Sequence, residues 1–387
     1  MSPRASVEVC FSVGRSSTMT TTTTLPIRLL DALGIALPIV QAPMAAVSTP
    51  ALAAAVCEGG ALGSLGLGNM SAPAARDAIR ALRARTARPF NVNLFCHRPA
   101  LADPAREAAW LARLAPEFAR FGAAPPRALR EIYTSFVADD AMLAMLLEER
   151  PPVISFHFGV PSAEAIAALR SAGIVMLGSA TSLDEARALE RAGLVAIVAQ
   201  GYEAGGHRGV IDADALDDRL GTFALTRLLA SHCRVPVIAA GGIMDGAGIA
   251  ACLALGAAGA QLGTAFVGCP ESSADGAYRA LLFSPAAAHT TMTRVISGRP
   301  ARCLANGFIE LGRTVDEADA PDYPLAYAAG KALASAARAD GDARFGAHWA
   351  GQGAPLARAL PAAELVAVLM DELNRALTGN RGAQAAK

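Results

Sequence analysis

The stretch GLVAIVAQGYEAGGHRG, residues 193–209, decides how the rest of the chain is read. Its first half, 194–199, is short, apolar and rich in β-branched residues, the signature of a buried strand. The run stops at Gln200 and gives way to glycines at 201, 205, 206 and 209, set around Glu203, His207 and Arg208. Glycines leave a backbone that a ligand can approach closely, so the pattern offers His207 at the C-terminal end of a strand. The segment alone is also open to a plainer reading, in which the glycines only turn the chain and the imidazole is a satisfied surface group.

On either side the same pattern repeats. Short apolar runs at 37–41, 61–65, 90–95, 153–158, 174–177, 194–200, 235–240 and 258–262 read as eight buried strands. Helix-like stretches lie between most of them, opened by the capping residues Thr49, Ser162, Ser182 and Asp245. Three of these stretches close on Gly173, Gly193 and Gly256, as a C-terminal cap prefers. Strand and helix alternating eight times predict an α/β fold of the (β/α)8 TIM barrel type, with a doubly wound open sheet as the runner-up. Active sites in such barrels sit at the C-terminal ends of the strands.

The expected organisation is a disordered leader over 1–24, a barrel over 25–270, and a helical C-terminal region over 271–387 covering the active-site face. Within the barrel, 96–152 is an insertion holding two helical patterns around the turn-rich AAPPRA. After Gly268 the alternation ends, and 271–387 offers helices near 328–338 and 362–377 with no convincing strand.

Composition narrows the function. The chain has 387 residues, 53% hydrophobic and 18% charged, yet no window reads as a membrane span. Basic and acidic residues both number 34, for a net charge of +0, which favours no polyanionic partner such as nucleic acid. A small-molecule ligand is implied. Seven cysteines, with no C-x-x-C pair, suit reduced thiols in a cytoplasmic setting and no metal. Cys96 and Cys269 lie near strand ends, but nothing basic is placed in sequence to make a thiolate, so both read as packing.

The remaining strand ends carry the chemistry. The first strand ends QAPM (41–44), the third is FNVNLF (90–95), and the last two read VIAAGGIMDG (237–246) and AQLGTAFVG (260–268). Gly241 and Gly242 precede a helix, and Gly263 and Thr264 follow the eighth strand. Backbone N–H groups at two such turns, with a helix N-terminus behind them, make a cradle for one phosphate. No Walker sequence or G-x-G-x-x-G fingerprint competes with it.

Together these residues resemble the nitronate monooxygenase family, the flavin-dependent enzymes once called 2-nitropropane dioxygenases. QAPMA, VNLF, SFHFGVP, AQGYEAGGHRG, VPVIAAGGIMDG, QLGTAF and the late WAGQG (349–353) follow the family's order over about 25–377. The resemblance implies an FMN-binding barrel in which Ala42, Pro43, Met44 and Asn93 border the isoalloxazine and Gln200 bonds its polar edge. Gly205, Gly241, Gly242, Gln261, Leu262, Gly263 and Thr264 then meet flavin or phosphate, and His207 falls on the active-site histidine. Two positions depart from the pattern, Ala46 and Asn91, where the family often has glycine.

The implied reaction is oxidation of an alkyl nitronate by O2 to a carbonyl compound and nitrite, with propionate 3-nitronate the leading substrate. His207 suits a hydrogen-bond donor or cation for the nitro oxygens, or a general base if a neutral nitroalkane is used. His157, in SFHFG, reads as a packed wall residue. The related alternatives are NAD(P)H-dependent enoyl-acyl-carrier-protein and quinone reductases on the same barrel; from another class, a non-catalytic flavin-binding protein. Monomer and homodimer both remain open.

Overall fold

The expected cap residues explain why the chain turns where it does. Thr49, Ser162, Ser182 and Asp245 each accept a backbone N–H from the first turn of the helix that follows, and Gly173, Gly193 and Gly256 all take positive φ just past a helix end. The structure, a computed structural model, describes residues 27–379; the leader expected over 1–24 lies outside them.

Eight parallel strands form the barrel. They are β1 (Ile39–Gln41), β2 (Gly63–Gly66), β3 (Phe90–Phe95), β4 (Val153–His157), β5 (Val175–Ala180) and β6 (Ala196–Gln200), then β8 (Val237–Ala240) and β9 (Gly259–Leu262). A two-residue strand, β7 (Gly206–His207), lies between them in sequence but outside the barrel sheet. The order β1-β9-β8-β6-β5-β4-β3-β2 closes on itself through a bridge between Val40 and Leu62. This is the TIM barrel of the sequence reading; the open sheet is excluded by that closure.

The barrel interior has an apolar and a polar part. Val40, Leu62, Val153, Leu177, Val198 and Ile238 pack together, with Leu29 and Leu33 of helix Ile27–Leu33 joining the same cluster. Asn91, Ser64 and Ser155 instead form a buried polar group, Asn91 Nδ2 donating to both hydroxyls at 3.2 and 3.0 Å. Asn91 thus has a partner set that a glycine could not supply.

The C-terminal region departs from expectation in two ways. First, it contains strands: β10 (Thr290–Thr293) pairs antiparallel with β11 (Ala301–Leu304), and β11 pairs with β7, placing Ala301 opposite His207. Both are four residues long, and neither shows a strand's alternation of apolar and polar residues. Second, its last helix, Ala362–Gly379, does not cover the barrel mouth. Leu365, Val366, Leu369 and Leu373 pack with Leu52, Val56 and Ile249 on the barrel flank. Gly246 sits so close to this helix that a Cβ there would lie 2.1 Å from the Leu373 nitrogen.

The cover comes from two other helices, one of the insertion and one of the C-terminal region. Helix Pro104–Arg120, from the insertion, and helix Leu325–Ala339 share one core through Trp110, Leu114, Phe118, Leu333 and Ala337. No helix among the described residues is long and apolar enough to cross a membrane.

Candidate active site

The strand ends open into one cavity. Ala42, Pro43, Met44, Asn93, Gln200, Gly205, His207, Gly241, Gly242, Gln261, Gly263 and Thr264 all line it. Leu262 does not: its side chain is buried in the core beside Ile39 and Phe266, and its contribution is a carbonyl that accepts the Ala42 N–H at 2.8 Å. Ala46, on the cavity wall, has φ +60°, a conformation that explains why glycine suits this position better.

The glycine-rich loop is held by its own polar residues. Gln200 Oε1 accepts the Gly209 N–H at 2.6 Å, and its Nε2 donates to the His207 carbonyl at 3.0 Å. Arg208 is buried and pairs with both oxygens of Asp217 at 2.8 and 2.9 Å. Glu203 accepts the N–H and hydroxyl of Thr222 at 2.7 and 2.9 Å, an anion well placed at the start of helix Thr222–His232. These bonds fix the loop's shape, and the β7–β11 pairing fixes its far end. His207 is the loop residue whose side chain is left for the cavity.

Its imidazole lies among rings, with Trp349, Tyr323, Phe158 and Tyr327 centroids at 5.1, 5.3, 5.7 and 5.9 Å. Nε2 is 2.9 Å from Ser297 Oγ. Burial, then the nearby charges of His157, Arg299 and His97, pushes the His207 pKa down to about 3. Burial thus favours the neutral imidazole over a standing cation in the free protein. His157 is a wall residue as expected, its Nε2 3.2 Å from the His207 carbonyl, with a pKa lowered to about 4 by burial.

The two turns expected to cradle a phosphate differ from the sequence picture in one respect. The helix behind Gly242, Gly246–Ala254, already has acidic partners: Glu372 accepts the Gly246 N–H at 2.9 Å and Asp245 accepts that of Gly248 at 2.8 Å. Its N-terminus is not available to an anion. The amides of Gly242 and Gly263, by contrast, have no partner among the described residues, and both glycines line the cavity. Gly242 has φ +71°. Segment 349–353 locks these turns together, Gly351 donating to Thr264 Oγ1 and Gln352 to the Glu203 carbonyl, both at 2.9 Å. A Cβ on Gly205 would lie 2.5 Å from the Gly351 nitrogen. One acceptor is also orphaned here among the described residues: Asn69 Oδ1, buried without a partner on the cavity wall.

Sequence reading missed the far wall. Tyr133, Tyr323, Tyr327, Lys331 and Trp349 all line the cavity. Lys331 Nζ sits 4.9 and 5.2 Å from the ring centres of Tyr133 and Tyr327, with no carboxylate in ion-pair range among the described residues. A signal existed: Tyr323, Tyr327 and Lys331 recur at steps of four, so the last two share one face of helix Leu325–Ala339. The described cysteines are unpaired, and burial raises the Cys96 and Cys269 thiols well above their ordinary value.

A closed parallel barrel whose strand ends and glycine turns enclose an aromatic-walled cavity defines a barrel enzyme acting on a small molecule. The nitronate monooxygenase family model matches residues 27–372. Similar proteins include a nitronate monooxygenase of Paraburkholderia phytofirmans, 64% identical over 90% of this chain and 95% of that one. Another from Pseudomonas aeruginosa is 56% identical over 88% and 97%. Among solved structures, a nitroalkane oxidase from Streptomyces ansochromogenes superposes with a TM-score of 0.83 at 44% identity, covering 91% of this chain and 99% of that one. FabK from Thermotoga maritima does so at 0.71 and 30%, covering 92% and 98%. The chain belongs to the nitronate monooxygenase family, and it is an oxidoreductase of that type.

Proposed function

We propose that the protein is an FMN-dependent nitronate monooxygenase that oxidises a small carboxylated alkyl nitronate, propionate 3-nitronate being the leading case, with O2 to a carbonyl compound and nitrite. The observation that carries the substrate class is Lys331, a cation without a carboxylate partner among the described residues, over two tyrosine rings in the cavity wall. A substrate with a carboxylate supplies the missing partner. Tyr323 adds a buried hydroxyl with no partner among the described residues, kept protonated because burial raises its pKa well above the ordinary value; it is a donor suited to a nitro oxygen.

The residues present fit a flavin mononucleotide. The unpaired amides of Gly242 and Gly263, with Thr264, would hold the phosphate. Ala42, Pro43, Met44, Asn93 and Gln200 would border the ring system, and Asn69 Oδ1 would accept a donor from it. When bound, the flavin supplies the electron acceptor and the route to O2. The chain's part is to bind the anion through Lys331, to orient the nitro group, and to exclude water with its aromatic wall.

The decisive test is to purify the protein, record its visible spectrum, and mix it anaerobically with propionate 3-nitronate and, separately, with NADPH. Oxidised flavin that is bleached rapidly by the nitronate and slowly by NADPH is the expected result; the reverse order would favour an NAD(P)H-dependent reductase on the same barrel. Flavin that neither reagent reduces would point to a non-catalytic binding protein. In the same assay Lys331→Met should raise KM for propionate 3-nitronate about tenfold or more, the loss of one charge-assisted contact, and change KM for ethyl nitronate much less. Equal shifts for both substrates would remove Lys331 from carboxylate recognition.

A further inference from the structure

A second cavity lies beside the first, lined by Arg98, Arg294 and Arg299 together with Asp212, Asp214 and Asp322. Its carboxylates are already matched. Asp322 accepts from Arg98 at 3.3 Å and from the Leu101 N–H at 3.1 Å, with Arg106 3.8 Å away. Asp214 lies 3.2 Å from Arg98 and 4.0 Å from Arg294, and the exposed Asp212 accepts the Asp214 N–H at 3.0 Å. Arg299 differs from the other two arginines: it is buried, and no carboxylate is in ion-pair range among the described residues. Its Nη2 donates to the Val210 carbonyl, its guanidinium sits 4.3 Å from the centre of the Phe158 ring, and its Nε has no partner among the described residues. Burial lowers its pKa to about 10, which leaves it charged at neutral pH. A buried cation whose donors are not all met is costly, and a small anion supplies what is missing.

Tyr323 joins the two cavities. It lines both, its hydroxyl has no partner among the described residues, and the Arg299 charge bears on it. At the outer rim Arg98 and Asp214 are exposed, so the second cavity meets solvent there. We propose that this cavity is a subsite for a small inorganic anion, and that nitrite made in the reaction cavity passes through it, held by Arg299 on its way past Tyr323 to solvent. The two oxygens of nitrite suit the parallel N–H groups of a guanidinium, and the three arginines draw a departing anion outward. The anion only moves; no bond is made or broken. Use of the site as an exit rests on the proposed monooxygenase reading, whereas the anion site itself does not.

Calorimetric titration of sodium nitrite into the protein as purified tests the site without turnover. A single site is expected, and no measurable binding overturns the proposal. Arg299→Gln should weaken nitrite about tenfold or more, the loss of a charge-assisted contact. Arg294→Gln should weaken it severalfold, and decides the matter should the buried substitution not fold. Lys331→Met should keep the affinity within about twofold, since that cation belongs to the other cavity. Binding lost in Lys331→Met, or kept in the arginine variants, places nitrite elsewhere and overturns the site. Sodium chloride separates product from ambient anion: nitrite that chloride displaces at equal concentration overturns the role in product release. During turnover nitrite should inhibit noncompetitively against propionate 3-nitronate, and competitive inhibition overturns the exit. A protein that turns over no nitronate would end the monooxygenase reading, while the titration still decides the anion site.

Discussion

Replacing His207 with asparagine is expected to lower kcat/KM for an alkyl nitronate by roughly 10² to 10⁴, about 3–5 kcal/mol of transition-state stabilisation, while the flavin spectrum stays in place. The spectrum should survive because the loop is built by Gln200, Arg208 and Glu203 and by the β7–β11 pairing, none of which uses the imidazole. Some thermal stability will be lost, since the ring packs against Trp349, Tyr323 and Phe158. His157→Asn should do much less to turnover, as that ring meets the loop through the His207 carbonyl. The pH profile separates the roles further. With its pKa near 3, His207 stays neutral across the working range, so nitronate KM should show no inflection near pH 6.5. An inflection there, lost in His207→Asn, would restore the cation. A variant within about threefold of wild type would return the stretch 193–209 to a structural turn.

The barrel was legible because its strands are short apolar runs between helices, several of them capped; β3 begins and ends where the pattern of 90–95 does. The cradle side was legible for the same reason, since glycines at strand ends are a local signal. The opposite wall was not. Tyr133 comes from the insertion and Tyr323, Tyr327 and Lys331 from the C-terminal region, more than 180 residues later in the chain, and only the shared core of helices Pro104–Arg120 and Leu325–Ala339 brings them together. Strand β11 was hidden too, because one of its partners, β7, is two residues of a glycine loop and the other, β10, is a run of TTMT with no alternation. One clue was present in the composition. Of 34 basic residues only 331 and 387 are lysines, so a lysine inside an alanine-rich helix, four residues after a tyrosine, stood out against a chain that otherwise uses arginine.

Three imidazoles, those of His97, His157 and His207, should make the protein acid-labile in a range where carboxylates are still ionised. Burial lowers their pKa values to about 4, about 4 and about 3, with the Arg299 charge adding to each. In the unfolded chain each would titrate near 6.5. Each is therefore neutral in the fold at a pH where the unfolded chain has taken up its proton, so protons favour unfolding between about pH 6.5 and 4. Three protons correspond to a slope of up to about 4 kcal/mol per pH unit, steep against a total stability of roughly 5–15 kcal/mol. Urea unfolding followed at intervals from pH 7.5 to 4.5 should show the midpoint falling sharply below pH 6.5. His97 offers the cleanest control: it is fully buried against Tyr323 and Phe158, and neither ring nitrogen has a partner among the described residues. His97→Leu should lower the slope by about one proton, roughly 1.4 kcal/mol per pH unit, whatever it does to stability at pH 7.5. A slope that is shallow in the wild type, or unchanged in His97→Leu, would mean that water or the bound cofactor reaches these rings and lets them charge within the fold.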